Sequence, residues 1–268
     1  MKTYHWGWIC FSFLLVVAPT GSSQVRRMGT QHVTPAKPLA ALQSTSKDTK
    51  YVSCWDKKQS LTGSHLVRSP ILTSSDGRHR AYVEVEATAY EPQDKHAYSG
   101  PLCANTSRLY VAGPEDKTFR LVYLQSPTRW ELGNSLKLVD WAPGGTQLLV
   151  ELTTWQYESE GDFTEFILFS PDFGVITKAD LPGILSGRFG KDCGSENSAI
   201  GFTLEENVVL AVSPLEDSYE NEGATSCVKQ KTLLALDMEH GLKDTAKVLP
   251  SSFSVRHYGQ FPEPQASR

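Results

Sequence analysis

A basic excess is the first thing missing from this chain. Its 268 residues carry 26 lysines and arginines against 30 aspartates and glutamates, a formal charge of −4. A broad cationic surface for nucleic acid is therefore excluded. Charge of either sign is sparse at 21%, while 40% of residues are hydrophobic, which excludes a highly charged disordered chain. Long apolar runs are also missing apart from one near the N-terminus, so a polytopic membrane protein is excluded. The five cysteines include no Cys-x-x-Cys pair and have no histidine at zinc-finger spacing, which argues against a structural zinc site. There is no Gly-x-Ser-x-Gly elbow and no His-Glu-x-x-His pair. Gly190-Lys191 is followed by Asp192, and Leu185 stands where a phosphate loop needs its first glycine. The histidines are scattered singly; His65, His79, His96, His240 and His257 fall mainly in expected turns or strand ends and read as exposed polar residues. No catalytic set emerges, and the chain leans away from being an enzyme.

What is present begins with an address. Lys2 and His5 precede an apolar run from Trp6 to Ala18, followed by Pro19, Thr20, Gly21, Ser22 and Ser23. That order is the pattern of a secretory signal peptide, expected to be cleaved after Ser23. The run is shorter than the roughly 20 residues a spanning helix needs; the alternative is an N-terminal anchor that stays attached. Residues 24–50, with Pro35 and Pro38 and little apolar periodicity, read as a flexible linker. Residues 51–258 read as a single domain, and 259–268, with Pro262 and Pro264, as a disordered tail. Export leads to a secreted or periplasmic location with no membrane insertion after cleavage. Cys10 leaves with the signal, and an even four remain in an oxidising compartment: Cys54, Cys103, Cys193 and Cys227. Two disulfides are expected, with three connectivities open.

Between the ends the pattern is period-2 strands broken by turn residues, with no convincing amphipathic helix longer than two turns. Strand, tight turn, strand recurs three times. It runs through Ser75-Asp76-Gly77 into 81–89, through Pro143-Gly144-Gly145 into 147–154, and through Glu205-Glu206-Asn207 into 208–212. Glycine and asparagine supply the positive φ that tight turns require. Each hairpin is followed by a second: 108–112 with 119–124, 163–169 with 175–179, and 232–236 with 246–249. Matching Val83, Val150 and Leu210 aligns the repeats, with one residue of register uncertainty. One repeat is thus four antiparallel strands, the unit of a β-propeller.

The stretches SPILTSSDGRHRAYVEV and VDWAPGGTQLLVE resemble the strand-turn-strand signature of TolB-like and WD-type propeller blades. EFILFSPDFGVITK is similar to the half-blade that follows. The resemblance covers roughly residues 69–250; the repeat at Leu136 fits best, and the one at Ala199 lacks the Pro-Asp-Gly turn. It implies an all-β, propeller-like array of four-stranded blades and a scaffold role, and it brings no catalytic residues. Propellers have about four to eight blades, whereas three are counted here. Residues 51–67 and 252–258 offer strands for a thin fourth. A β-sandwich or barrel made from the same hairpins is the alternative.

In such a blade the loop between strands two and three emerges beside the incoming segment. Cys103 and Cys227 fall in that middle loop, and Cys54 and Cys193 precede the first strand of the same blades. The repeat geometry therefore predicts Cys54–Cys103 and Cys193–Cys227. The same side would carry Glu158, Glu160 and Asp162, then Glu216, Asp217, Glu220 and Glu222 with Tyr219 among them. Trp155 and Tyr157 stand beside the first group, where aromatics next to polar groups suit sugar or peptide. These ten residues form the expected binding surface for a protein or glycan ligand. No cofactor is expected; Ca²⁺ is the one metal the carboxylates suggest, without EF-hand spacing. Trp141 reads as packing between blades. On the inner strands (Leu72, Thr73, Val139, Asp140, Gly201, Phe202) the only acid is Asp140, which favours a binder over an exported hydrolase or lyase. Asn105-Thr106-Ser107 fits an N-glycosylation acceptor.

Overall fold

The computed structural model describes residues 49, 52–54, 64–90, 101–128, 133–156, 162–172, 174–179, 181–190, 193–215, 225–237 and 246–262. The chain divides into Met1–Pro35 and Ala36–Arg268, and all described residues belong to the second unit. The fold is all-β. Its strands are β1 (Ser64–Arg68), β2 (Leu72–Ser74), β3 (Arg80–Tyr90), β4 (Leu102–Ala112), β5 (Arg120–Gln125), β6 (Gly133–Trp141), β7 (Leu148–Trp155), β8 (Asp162–Ser170) and β9 (Val175–Ala179). After a helix α1 (Leu181–Phe189) come β10 (Cys193–Gly194), β11 (Glu196–Phe202), β12 (Val208–Ser213), β13 (Thr225–Ser226), β14 (Thr232–Leu236), β15 (Lys247–Val248) and β16 (Gly259–Gln260).

Three antiparallel meanders result, as the repeated hairpins predict. Sheet I runs β2-β3-β4-β5, sheet II β6-β7-β8-β9, and sheet III β11-β12-β14-β15. The connecting turns explain themselves locally. At 74–79 the Ser74 hydroxyl accepts from the His79 amide and donates to Asp76 Oδ1, which also accepts from the Arg78 amide. At 142–147 Gly144 and Gly145 take φ of +75° and +74°, a conformation that costs a side chain far more than it costs glycine.

The sheets pack face to face. Leu148, Val150, Leu152, Ile167 and Phe169 of sheet II join Ala81, Val83, Leu109 and Val111 of sheet I in one buried cluster. Leu149, Phe166 and Leu168, on the opposite face of sheet II, join Phe202, Val208, Leu210 and Val212 of sheet III in another. Sheet II is therefore covered on both sides, so β7 is buried along nearly its whole length, Glu151, Thr153 and Thr154 included. At about 1.5–3 kcal/mol for each fully buried Val, Leu or Phe, this two-sided burial outweighs any single polar contact in holding the stack together. Trp141 is fully buried between sheets I and II, and its Nε1–H donates to the Leu72 carbonyl at 3.2 Å.

Several expectations need correction. Leu72 pairs Ala81, Asp140 pairs Leu149 and Gly201 pairs Val209, which makes Tyr82, not Val83, the equivalent of Val150 and Leu210. A one-residue slip in a strand exchanges its two faces, and Val83 indeed faces sheet II while Val150 faces back toward sheet I. The two ends do not build a fourth sheet from their described residues: β1 pairs β3 and β16 pairs β2, both in sheet I. Gly259, where fraying was expected to start, opens β16. Thr49, at the end of the expected linker, is buried with its hydroxyl on the Leu136 carbonyl. Helix α1 was not expected. Leu181, Ile184 and Leu185 bury one side of it against sheets II and III, so packing overrides a sequence containing Pro182, Gly183 and Gly187.

Candidate functional site

The first strands of the three sheets carry matching irregularities. β6 bulges between Leu138 and Asp140, β11 bulges between Ala199 and Gly201, and the first edge of sheet I is broken between β1 and β2. A bulge re-aims the following side chain, and the residue after it in β6 is Asp140. Its carboxylate is 1% exposed. Oδ1 accepts from the amides of Trp141 at 2.9 Å, Tyr258 at 3.0 Å and Gly259 at 2.6 Å, and Oδ2 lies 3.5 Å from His257 Nδ1. Burial pushes the Asp140 carboxyl above its ordinary range. The Gly259 and Tyr258 amides, the His257 ring and the Trp141 amide pull the other way without reversing that direction.

Glycines make room for this carboxylate. Gly201 sits at φ +140°, where a methyl group would stand 3.1 Å from Asp140 Oδ2 and 3.2 Å from Val255 Cγ1. A methyl on Gly259 would stand 2.7 Å from Leu72 Cδ1 and 3.0 Å from Asp140 Oδ1. The adjacent turns also meet: Gly145 abuts Ser74, Asp76 and His79, and Thr146 Oγ1 donates to Glu206 Oε2 at 2.9 Å. His79, expected to be exposed, is buried and stacks on Trp141 with ring centroids 5.6 Å apart. Asp140 thus faces backbone amides and a glycine-lined seat; it is occupied as an acceptor.

At the other end of the strands, Cys54 and Cys103 form a disulfide with Cα atoms 5.8 Å apart. Cys227 is disulfide-bonded too. The β10 backbone sets Cys193 beside Thr225, and the Cys227 amide donates to the Gly194 carbonyl at 2.8 Å. The Cys193 side chain lies outside the described residues. Trp155 pairs Gly133 across β6 and β7 and lies so close over it that a methyl there would overlap the indole. Asp162 pairs Trp155 and is exposed at the start of β8. Tyr157, Glu158, Glu160, Glu216, Asp217, Tyr219, Glu220 and Glu222 lie outside the described residues. Among the described residues no group of three or more His, Cys, Asp or Glu is placed to hold a metal ion. No helix among them is long and apolar enough to cross a membrane.

Sequence reasoning missed the outer face of sheet I. Tyr82 stacks on Tyr110 at 4.8 Å and meets Phe119 edge-on at 4.7 Å, with Arg68 over the Tyr82 ring. Arg68 pairs with Glu84, and Arg108 with Glu86 at 3.0 Å. Burial pushes both tyrosine hydroxyls upward, so they stay protonated. The alternation Arg80, Tyr82, Glu84, Glu86 along β3 was the available signal. The Asn105 amide is another surprise: it is buried and its Nδ2 donates to the Val52 carbonyl at 3.0 Å, a contact that a glycan on Nδ2 would displace.

Together these features define an all-β, disulfide-bonded protein of stacked antiparallel meanders. No family model, curated protein or solved structure matches the chain.

Proposed function

We propose that the chain is an exported, non-catalytic binding or scaffold protein of a periplasm or the extracellular space. On this reading its three sheets are blades of a propeller-like array related to the TolB-like and WD-type repeats. The two-sided burial of sheet II is what radial blade packing requires, and disulfides suit an oxidising compartment. The carrying observation is the state of Asp140. Among Leu72, Thr73, Val139, Asp140, Gly201 and Phe202 the one acid is buried and spends its lone pairs on the amides of Trp141, Tyr258 and Gly259. A general acid or base needs a free approach to a substrate proton, and this carboxylate is engaged as framework.

Binding is then assigned, on the repeat pattern of the sequence, to Trp155 and Asp162 at the ends of β7 and β8 and to Tyr157, Glu158, Glu160, Glu216, Asp217, Tyr219, Glu220 and Glu222, which lie outside the described residues. The ligand is a protein or glycan, and Ca²⁺ bound by the same carboxylates is the subsidiary reading. The test applies the mature protein to glycan and peptide arrays and to glycosidase, lyase and esterase panels. Saturable binding is expected, weakened by Glu158→Gln with Glu160→Gln or by Glu220→Gln with Glu222→Gln. Turnover of any panel substrate, lost in a folded Asp140→Asn variant, would overturn the reading. A calcium-induced rise in Tm, reversed by chelator, supports the metal, and no rise removes it.

A further inference from the structure

The C-terminal stretch touches β11, β6 and β2, one strand of each of the three meanders, in turn. Val255 lies against Gly201 and Arg256 bridges Phe202, both in β11. Tyr258 and Gly259 donate to Asp140 in β6. Gly259 and Gln260 then pair Ser74 and Thr73 in β2. Yet no residue from 251 to 262 is buried; each is exposed or half-exposed. The segment is held by a bridge, a two-residue ladder, amides on one carboxylate and the half-buried Tyr258 packed against the core, whereas the sheets beneath it are held by many fully buried apolar side chains. Segments with few buried apolar contacts open locally at far lower free energy than a core.

We propose that residues 252–262 form a detachable strap, which closes over the inner strands and opens as a unit while the three sheets stay folded. Opening frees the edge of β2 and a seat matched to an extended backbone carrying glycine. Gly259 fits because Leu72 Cδ1 and Asp140 Oδ1 leave no space for a side chain. An exposed strand edge beside a buried acceptor takes extended peptide by backbone pairing. The strap's own sequence is the occupant the geometry selects. The inference rests on these contacts and does not depend on the binding role proposed above.

Hydrogen exchange of the mature protein, followed by mass spectrometry, tests it. In the wild type, amides of 256–260 exchange well before those of β7 and β12. In Asp140→Ala the strap amides speed up by about tenfold or more, the size of losing one hydrogen bond to a charged acceptor, while β7 and β12 are unchanged. Asp140→Asn can keep Oδ1 as acceptor and should retain most of the protection. A common exchange rate for strap and sheets in both wild type and Asp140→Ala overturns the proposal. So does loss of protection in β7 together with the strap. A second arm adds a synthetic peptide of residues 251–262 to a chain ending at Pro250. Restored protection of the β2 edge supports the seat, and no effect on a folded truncated chain contradicts it. If that chain does not fold, the exchange measurement on the full-length variants decides.

Discussion

The amide of Gly259 donates to Asp140 Oδ1 at 2.6 Å, joining residues 119 apart in sequence. The contact exists because two glycines step aside for it. Gly201 admits the carboxylate from the β11 side, and Gly259 brings its own backbone within reach.

Adding a single methyl at either glycine should therefore act on the same contact. Gly259→Ala pushes Leu72 Cδ1 or Asp140 aside, and overpacking of this kind costs about 1–3 kcal/mol. Gly201→Ala adds a left-handed backbone penalty of about 1–3 kcal/mol. Urea midpoints of both variants should fall with the slope unchanged. Gly144→Ala is the control, since a methyl there meets nothing within 4 Å, leaving the positive φ as its only penalty. Equal losses in Gly144→Ala and Gly201→Ala, or no loss in Gly259→Ala, would remove the packing explanation.

The pH dependence has a definite sign. Burial raises the Asp140 carboxyl in the folded state, so over a window of pH the folded protein holds a proton that the unfolded chain has released. This group's contribution is fully present below the unfolded value, ordinarily about 3.9, and is lost as pH rises through the folded value. Across that window wild type should lose stability relative to Asp140→Asn as pH increases. Parallel curves for the two proteins, or a slope of the opposite sign, would contradict the assignment.

The hairpins were legible because each strand's chemistry is local. Alternating residues such as those of 81–89, ended by Ser75-Asp76-Gly77 on one side, specify strand and turn within a dozen positions. Strand β14 and strand β9 fall where the pattern put them. What escaped was non-local. The residues around Tyr258 have no apolar period, and their partner is a carboxylate over a hundred positions away. Helix α1 forms through burial against two sheets that follow and precede it. The register slip at Val83 arose because residues 81–85 of β3 are buried on both faces, so alternation alone did not show which face was which. Of the site, Asp140 was found from its position on an inner strand; its occupation by amides was not readable.

Asn105 offers a separate test of how the segment around Val52 packs on sheet I. Its Nδ2 donates to Val52, and Asn134 Nδ2 donates to the Asn105 carbonyl at 2.6 Å. Asn105→Asp keeps the shape but sets an acceptor against the Val52 carbonyl, at a cost of at least about 1–3 kcal/mol. Tm should fall in proportion. Protein secreted in folded form from a glycosylating host should carry no glycan at Asn105 by intact-mass measurement.

The Cys54–Cys103 bond closes a 49-residue separation, and removing such a crosslink costs about 2–4 kcal/mol. Cys54→Ser with Cys103→Ser should lower the urea midpoint by a corresponding amount. Non-reducing peptide mapping should yield Cys54–Cys103 and Cys193–Cys227; a Cys54–Cys193 or Cys54–Cys227 peptide would contradict the repeat geometry.

The bond between Asp140 and the C-terminal strand is most directly read by NMR. In ¹⁵N spectra recorded across a pH titration, the amides of Trp141, Tyr258 and Gly259 should move together. Their shared inflection should lie above the ordinary aspartate value of about 3.9, and all three movements should vanish in Asp140→Asn. A Gly259 amide at a random-coil position, indifferent to pH and to that substitution, would show that Asp140 does not hold the C-terminal strand.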